Sequence, residues 1–227
     1  MVDPGPHPGP PRDFFARTLP ILRLGGSFFR SHPSCRDPLY FGKSGGSRFD
    51  DPIGQYGVLY TARDAYGAFI ETFGQITGIR TVSSAMLKSY FLSELYPLRP
   101  LILVDLWGSG CLARLGADSR LFAGERSIAQ KWSRAIYEHP NVGDVKVDGI
   151  LYPARHNHER QAVAVFDRAP RLETIETHPW YEPDGKLRPE LPGILDLYGF
   201  GIVETDMKLA KKNPGRADSR QGTLFDL

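Results

Sequence analysis

The sequence has few cysteines, almost no net charge and no long apolar run. Its 227 residues include two cysteines, Cys35 and Cys111, too few for a disulfide framework or a thiolate metal site, so we expect reduced thiols in a cytoplasmic protein. Lys and Arg total 28 against 26 Asp and Glu, and a net charge of +2 gives no electrostatic case for binding nucleic acid. Apolar runs such as 101–107 fall far short of the roughly 18 residues of a membrane helix, so no membrane partner is expected.

Glycine and proline, by contrast, are plentiful, at 24 and 19 residues. Such a content is high for a helical bundle and favours strands joined by many turns. Residues 1–11 contain five prolines and are predicted to be a disordered lead, while 208–227 read as a polar, basic tail. No repeat or linker divides the chain between them, so we expect a single α+β domain over 12–207.

Apolar spacing, turn residues and helix caps predict the secondary structure within that domain. We expect a short helix broken by Pro20 within 13–24 and a long loop over 32–55. The predicted strands are 27–30, 56–61, 101–106, 150–152, 162–166, 172–177 and 201–204. The predicted helices are one from the cap Asp64 to Phe73 and others at 83–95, 125–138 and 191–197.

Several familiar catalytic motifs are incomplete or absent in this sequence. The segment 41–46 contains Gly-Lys-Ser, but a phosphate-binding P-loop needs a glycine where Asp37 stands. His156 and His158 would share one face of a strand and could reach one metal ion, but a polar turn between two strands explains them without a metal and is favoured. No Gly-x-Ser-x-Gly elbow is present, so ordinary hydrolase chemistry has no support.

The first third of the chain carries a more suggestive set of side chains. Arg30 and Arg48, the latter after Gly45-Gly46, have the chemistry to grip a pyrophosphate. Tyr60 offers a flat face to an aromatic ring, and Glu71 is a carboxylate of the kind that stabilises an oxocarbenium cation in glycosyl transfer. Spacing alone, however, favours surface arginines, a core tyrosine and a solvated glutamate.

At these residues the sequence resembles the RES domain family, whose members are toxins of bacterial toxin–antitoxin pairs or stand-alone proteins. Five segments match in order and extend the resemblance over 27–166. They are Phe29-Arg30, Gly46-Ser47-Arg48-Phe49 with Pro52, Val58-Leu59-Tyr60-Thr61-Ala62, Ala68-Phe69-Ile70-Glu71 and Asp148-Gly149-Ile150-Leu151-Tyr152-Pro153-Ala154-Arg155, with a strand at 163–166 after the last.

The resemblance implies an ADP-ribosyltransferase-like fold: a bent, split β core with flanking helices and an NAD pocket. It implies a toxin that cleaves the nicotinamide–ribose bond of NAD⁺, with water or inorganic phosphate as acceptor, without a metal, and with a helix-turn-helix antitoxin as partner. Some members instead modify a protein. Arg30 and Arg48 would hold the pyrophosphate or the phosphate acceptor, Tyr60 would pack against nicotinamide, and Glu71 would act on the ribose and the cationic transition state.

One family position departs from the pattern. The family serine falls in Tyr-x-Ser-Arg, where this chain has Ala154, which carries no hydroxyl. Three explanations stay open: another polar group such as His156 or Asn157 serves instead, the protein is a weakened NAD-binding or partner-binding relative, or the alanine is a deliberate change. Arg155 is either a ligand contact or a solvent-facing strand residue.

Overall fold

A computed structural model describes residues 9–76, 78–140 and 146–205. A 3₁₀ turn at Phe14–Ala16 precedes the regular elements. The strands are β1 (Ile21–Leu24), β2 (Phe28–Pro33), β3 (Val58–Ala62), β4 (Thr81–Ser83), β5 (Tyr90–Pro97), β6 (Leu101–Asp105), β7 (Gly149–Ala154), β8 (Asn157–Phe166), β9 (Leu172–Pro179) and β10 (Gly201–Val203). The helices are α1 (Ala65–Phe73), α2 (Ser84–Ser89), α3 (Cys111–Leu115), α4 (Arg120–Ala123), α5 (Arg126–Glu138) and α6 (Leu191–Tyr198).

Eight strands form one sheet in the order β1-β6-β7-β8-β3-β2-β5-β9, and β4 pairs with β10 in a separate parallel ribbon. Both faces of the sheet are buried at its centre. Along β8, Ala162, Ala164 and Phe166 belong to one apolar cluster, whereas Val163 and Val165 belong to another. This alternation follows from the two-residue side-chain period of a strand.

The short link between β5 and β6 requires a strongly bent sheet. These strands stand seventh and second in the sheet order, so a flat sheet would separate them by about 24 Å at roughly 4.8 Å per strand. The chain from Pro97 to Leu101 spans at most about 14 Å. Consistently, Leu95 of β5 and Leu103 of β6 lie in the same buried cluster. The expected bent β core is therefore present.

The sheet is also split between β2 and β3. These two strands share only the pair Phe29–Ala62, whereas β2 pairs with β5 at six consecutive residues and β3 pairs with β8 along its full length. Beyond Phe29 the two strands diverge and open a gap in the ladder. The predicted single α+β domain with a bent, split core and flanking helices is confirmed.

Helix α1 lies across this gap and packs against β2, β3, β7 and β8. Its predicted cap is correct: the Asp64 carboxylate accepts a 2.7 Å hydrogen bond from the main-chain N–H of Gly67. Helix α5 also matches its prediction and buries Trp132 and Ile136 against the sheet. Helix α6 and strands β6 to β10 lie close to their predicted places.

Two predictions of secondary structure are wrong. The helix expected over 83–95 ends at Ser89, and the chain continues as β5, because β5 is paired on both sides, with β2 and with β9. Pairing in the middle of a sheet overrides the local helical pattern. The helix expected within 13–24 is a single 3₁₀ turn, followed by Pro20 and strand β1.

No helix among the described residues is long and apolar enough to cross a membrane. The tail 208–227 and most of the lead 1–11 lie outside the described residues, so their predicted disorder stays a prediction.

Candidate active site

A pocket of about 340 Å³ opens where β2 and β3 diverge, within the size range of small-molecule sites. Its walls come from β2, β3, β7, α1, the loop before β3 and the α4–α5 region. The lining residues are Phe29, Arg30, Ser31, Gly46, Ser47, Arg48, Tyr60, Thr61, Ala62, Ala68, Glu71, Thr72, Gln75, Phe122, Arg126, Tyr152, Pro153 and Arg155. Arg30, Arg48, Tyr60, Glu71 and Arg155, all predicted from sequence, are therefore brought together.

Helix α5 holds the loop that carries Arg48. The Gln130 amide donates hydrogen bonds of 2.7 Å to Gly45 O and 3.0 Å to Ser47 O. One turn further along the same face, the Ser133 hydroxyl donates 2.6 Å to Phe49 O. A loop that is otherwise rich in glycine and serine is thereby held in one conformation.

Four arginines line the pocket, and none forms an ion pair within the described part of the chain. Arg30 donates to Pro38 O and Tyr40 O at 2.7 and 3.0 Å, and Arg48 donates to Gly124 O at 3.0 Å. Arg126 and Arg155 are exposed at the rim. Guanidinium groups positioned by carbonyls rather than neutralised by carboxylates suit an anionic ligand.

Burial disfavours the charged forms of two of these arginines, and repulsion from a neighbouring arginine acts in the same direction on each of them. Burial lowers the pKa of Arg30 to about 10, and the neighbouring charge of Arg36 acts in the same direction. The pKa of Arg48 is lowered by burial and then by the charges of Arg155 and Arg126. An anion in the pocket would relieve this repulsion.

Glu71 supplies the carboxylate of the pocket. Its Oε1 accepts a 2.8 Å hydrogen bond from the main-chain N–H of Arg155, and Oε2 has no hydrogen-bond partner among the described residues. Burial raises the pKa of Glu71, although the Arg155 N–H and the charges of Arg155 and Arg48 partly oppose this. A desolvated carboxylate beside a pocket is a frequent feature of catalytic sites.

Two tyrosines contribute in different ways. The Tyr60 hydroxyl is fully engaged, because it donates to Asp50 Oδ1 at 3.0 Å and accepts from the main-chain N–H of Phe49 at 2.9 Å. Tyr60 can therefore offer a ligand only its ring. Tyr152 is 5% exposed, and its hydroxyl forms no hydrogen bond with any described residue.

Ala154 does not line the pocket. It is completely buried in the main apolar cluster and pairs with Asn157, while its neighbours Pro153 and Arg155 do line the pocket. Of the suggested substitutes, Asn157 donates to the Tyr198 hydroxyl at 3.2 Å, and His156 has an enclosed Nε2 that meets no partner among the described residues. Neither is among the pocket-lining residues.

In the described ranges, no three or more His, Cys, Asp or Glu residues are placed to hold a metal ion. His158 is exposed and lies at the start of β8. The main-chain carbonyl of His158 accepts a 3.1 Å hydrogen bond from the Trp107 indole, which ties the loop after β6 to the start of β8.

Reasoning from the sequence missed several pocket residues. Arg126 reaches the site because the start of α5 abuts the Arg48 loop, and no local pattern indicates this. Tyr152 lies in the matched Tyr-x-Ser-Arg segment, but the resemblance implies no role for it. The sequence feature that could have indicated its place in the pocket is its position directly after the apolar pair Ile150-Leu151 of β7. Ser31, Thr72 and Gln75 gave no signal.

The sequence and the fold of this domain are both similar to those of known proteins. A sequence profile of the RES domain matches residues 27–189, most of the chain. The protein "Probable toxin y4kH" of Sinorhizobium fredii (strain NBRC 101917 / NGR234) is 35% identical over 106 residues, which are 46% of this chain and 76% of that protein. The chain belongs to the RES domain family.

A solved structure has the same fold. The crystal structure of the M. tuberculosis MbcT–MbcA toxin–antitoxin complex matches with a TM-score of 0.56 and 19% identity, over 70% of this chain and 86% of that one. At this identity the match establishes a shared fold. The profile match also extends the family resemblance beyond residue 166, through β9 to Pro189.

Proposed function

We propose that this protein is a toxin-type enzyme of the cytoplasm that consumes NAD⁺ by cleaving its nicotinamide–ribose bond. The observation that carries the proposal is the meeting, around one pocket, of one desolvated carboxylate, Glu71, with four arginines that form no ion pair with any described residue. NAD⁺ combines two phosphates with a cationic glycosidic bond, and these two kinds of group complement that arrangement. A relative named as a probable toxin and a structural neighbour from a toxin–antitoxin complex support the toxin part of the proposal.

In the proposed reaction, Arg30 and Arg48 bind the pyrophosphate, and the Tyr60 ring packs against nicotinamide. The bond between the anomeric carbon and the pyridinium nitrogen breaks, and its electron pair neutralises the ring nitrogen. Ionised Glu71 stabilises the positive charge that develops on the ribose. An oxygen of phosphate or water then bonds to the anomeric carbon, and water also releases one proton.

Inorganic phosphate and water are both acceptors that the pocket can serve. Arg126 and Arg155 at the rim are available to an incoming phosphate, whose attack would give ADP-ribose 1″-phosphate. Water would give ADP-ribose. Transfer to a protein side chain would make the enzyme an ADP-ribosyltransferase, and the same assay detects it by the mass added to protein.

The test is NAD⁺ consumption by purified protein with and without phosphate, with products read by mass spectrometry. Glu71→Gln should lower turnover at least 100-fold because it removes the charge that faces the cation. Glu173→Gln, which changes an exposed residue of β9, is the matched control and should keep the parental rate. Equal turnover by Glu71→Gln and parent would refute the role of Glu71.

A second candidate function rests on Ala154, which places no hydroxyl where the family has serine. In that case the protein binds NAD⁺ or a partner without turnover. NAD⁺ binding by calorimetry combined with no product would establish it.

An antitoxin is the macromolecular partner we propose. The structural neighbour is a toxin–antitoxin complex, and an antitoxin of the helix-turn-helix type that inserts a segment into the pocket would inhibit turnover. Co-expression with the gene next to this one, followed by co-purification and loss of NAD⁺ consumption, tests the pairing.

A further inference from the structure

Tyr152 lies in the pocket but has no part in the reaction proposed above. Its ring is fixed in place: the side chain is 5% exposed and meets the Phe49 ring edge to face, with 4.8 Å between centroids. Phe49 is itself fully buried, and its main chain is held by Tyr60 and Ser133. The phenol therefore projects from a rigid support.

The hydroxyl of Tyr152 is open to the pocket. It forms no hydrogen bond within the described residues, and it is not one of the enclosed polar atoms that lack a partner. Its charged neighbours, Glu71 and Arg48, both line the pocket. A hydroxyl that is nearly buried and unpartnered costs free energy, so this position favours a ligand oxygen.

The neighbourhood of Glu71 indicates which ligand oxygen this is. Glu71 Oε1 is occupied by the Arg155 N–H, and Oε2 is left for the ligand. A ribose diol presents two adjacent hydroxyls, one able to donate to a carboxylate and the other able to accept from a phenol. Burial and the Glu71 charge raise the pKa of Tyr152, so the phenol stays a neutral donor.

We infer that Tyr152 is a further catalytic residue whose hydroxyl donates a hydrogen bond to the diol of the ribose that loses nicotinamide. The inference rests on the proposed function. It also means that β7 contributes a hydroxyl to the pocket through Tyr152, although Ala154 on the same strand has no hydroxyl.

The first test is Tyr152→Phe, which keeps the ring and removes the oxygen. We expect kcat for NAD⁺ to fall about 10-fold to 100-fold, with KM changed less than 3-fold, because the contact strengthens as charge develops on the ribose. Tyr137→Phe is the matched control. Tyr137 stacks on Tyr56 at 4.0 Å, lies outside the pocket and should keep its rate within about 2-fold.

A substrate cycle separates a direct contact from a structural effect. Parent and Tyr152→Phe are each assayed with NAD⁺ and with analogues that lack the 2′- or 3′-hydroxyl of the nicotinamide-side ribose. Each missing hydroxyl lowers kcat/KM relative to NAD⁺, and this loss is compared between the two proteins. If Tyr152 contacts that diol, the loss for one analogue is at least 5-fold smaller in Tyr152→Phe than in the parent. Penalties that multiply independently for both analogues would overturn the inference.

The inference and the proposed function can fail separately. Parental consumption of NAD⁺ with an unchanged rate in Tyr152→Phe would reject only the inference. If the parent consumes no NAD⁺, the proposed function fails, and calorimetry with NAD⁺ and with ADP tests the contact. Tyr152→Phe should then weaken NAD⁺ binding about 5-fold and leave ADP binding unchanged, and any other pattern, including no binding by the parent, rejects the contact.

Discussion

The main-chain N–H of Arg155 donates a 2.8 Å hydrogen bond to Glu71 Oε1, which joins helix α1 to the turn after β7 across 84 positions of the chain. This bond fixes the direction of the carboxylate, while the exposed Arg155 side chain lies at the rim of the pocket. The turn between β7 and β8 therefore controls the geometry of the candidate catalytic group.

The raised pKa of Glu71 predicts a trade of stability for activity. The folded state binds this proton more tightly than the unfolded chain does, so ionising Glu71 lowers the free energy of unfolding. This destabilisation is absent well below the ordinary pKa of a glutamate and fully present above the pKa of Glu71 in the folded state. Glu71→Gln should therefore melt at a higher temperature than the parent at neutral pH. The difference should shrink as the pH falls through the folded pKa.

Calorimetric melting from pH 4 to pH 8 measures this difference, and the kcat profile of the parent should lose activity at acid pH over the same interval. Glu173→Gln, at an exposed position, serves as the control. A variant that melts below the parent at pH 7 would show that ionised Glu71 stabilises the fold, contrary to the prediction.

Arg126 is predicted to bind the ligand rather than support the fold. It is exposed, lines the pocket and has no ion pair with any described carboxylate. Arg126→Gln should raise the KM for NAD⁺ or for phosphate about 5-fold to 10-fold, and salt should reduce this difference because exposed charges are screened. Steady-state kinetics at 20 and 300 mM salt give the answer. Arg23→Gln, on an exposed site of β1, should match the parent, and a parental KM in Arg126→Gln would remove Arg126 from the site.

Gln130 is predicted to hold the Arg48 loop. Gln130→Met has similar length but loses both donors to Gly45 O and Ser47 O, which should cost about 1–2 kcal/mol. The melting temperature should fall by about 2–6 °C. KM should rise, because the loop that carries Arg48 is held less firmly when the Ser133 and Gly124 contacts remain without those of Gln130. Lys131→Met, an exposed change on the same helix, is the control. A stable variant with unaltered kinetics would indicate that the loop is held by other contacts.

Restoring the family serine at Ala154 is predicted to leave activity nearly unchanged. The alanine methyl is enclosed in the core and does not line the pocket, so the hydroxyl of a serine at this position would be buried away from the ligand. Ala154→Ser should change kcat by less than about 2-fold and lower stability by about 1–3 kcal/mol if the hydroxyl stays unpaired. Chemical denaturation and turnover measure both. A gain of 10-fold or more would mean that the family hydroxyl acts in this chain too.

Local signals were enough for much of the fold. The Asp64 cap and the apolar face of α5 correctly identified two helices, because both are set by neighbours in sequence. The helix predicted over 83–95 is wrong from residue 90 onward, because the strand character of that part comes from partners in β2 and β9, far along the chain. The bend of the sheet was expected only from the family resemblance.

The candidate site could likewise be predicted only in part from the sequence. Arg30, Arg48, Tyr60 and Glu71 share a pocket as the resemblance implied, although spacing alone favoured unrelated roles for them. Arg126 could not be predicted, since its approach to Arg48 depends on how α5 docks. The roles assigned to these residues stay predictions until turnover is measured.

The single Phe29–Ala62 pair makes the eight-stranded sheet behave as two panels, one of five strands ending at β3 and one of three strands beginning at β2. Arg30 belongs to the smaller panel, whereas Tyr152 lies in β7 of the larger panel and Arg155 directly follows that strand. A ligand that contacts residues of both panels joins them across the gap between β2 and β3, where ladder hydrogen bonds are missing. Any partner that fills the same gap would hold the two panels in a fixed relative position and, by the same contacts, exclude the substrate from the pocket.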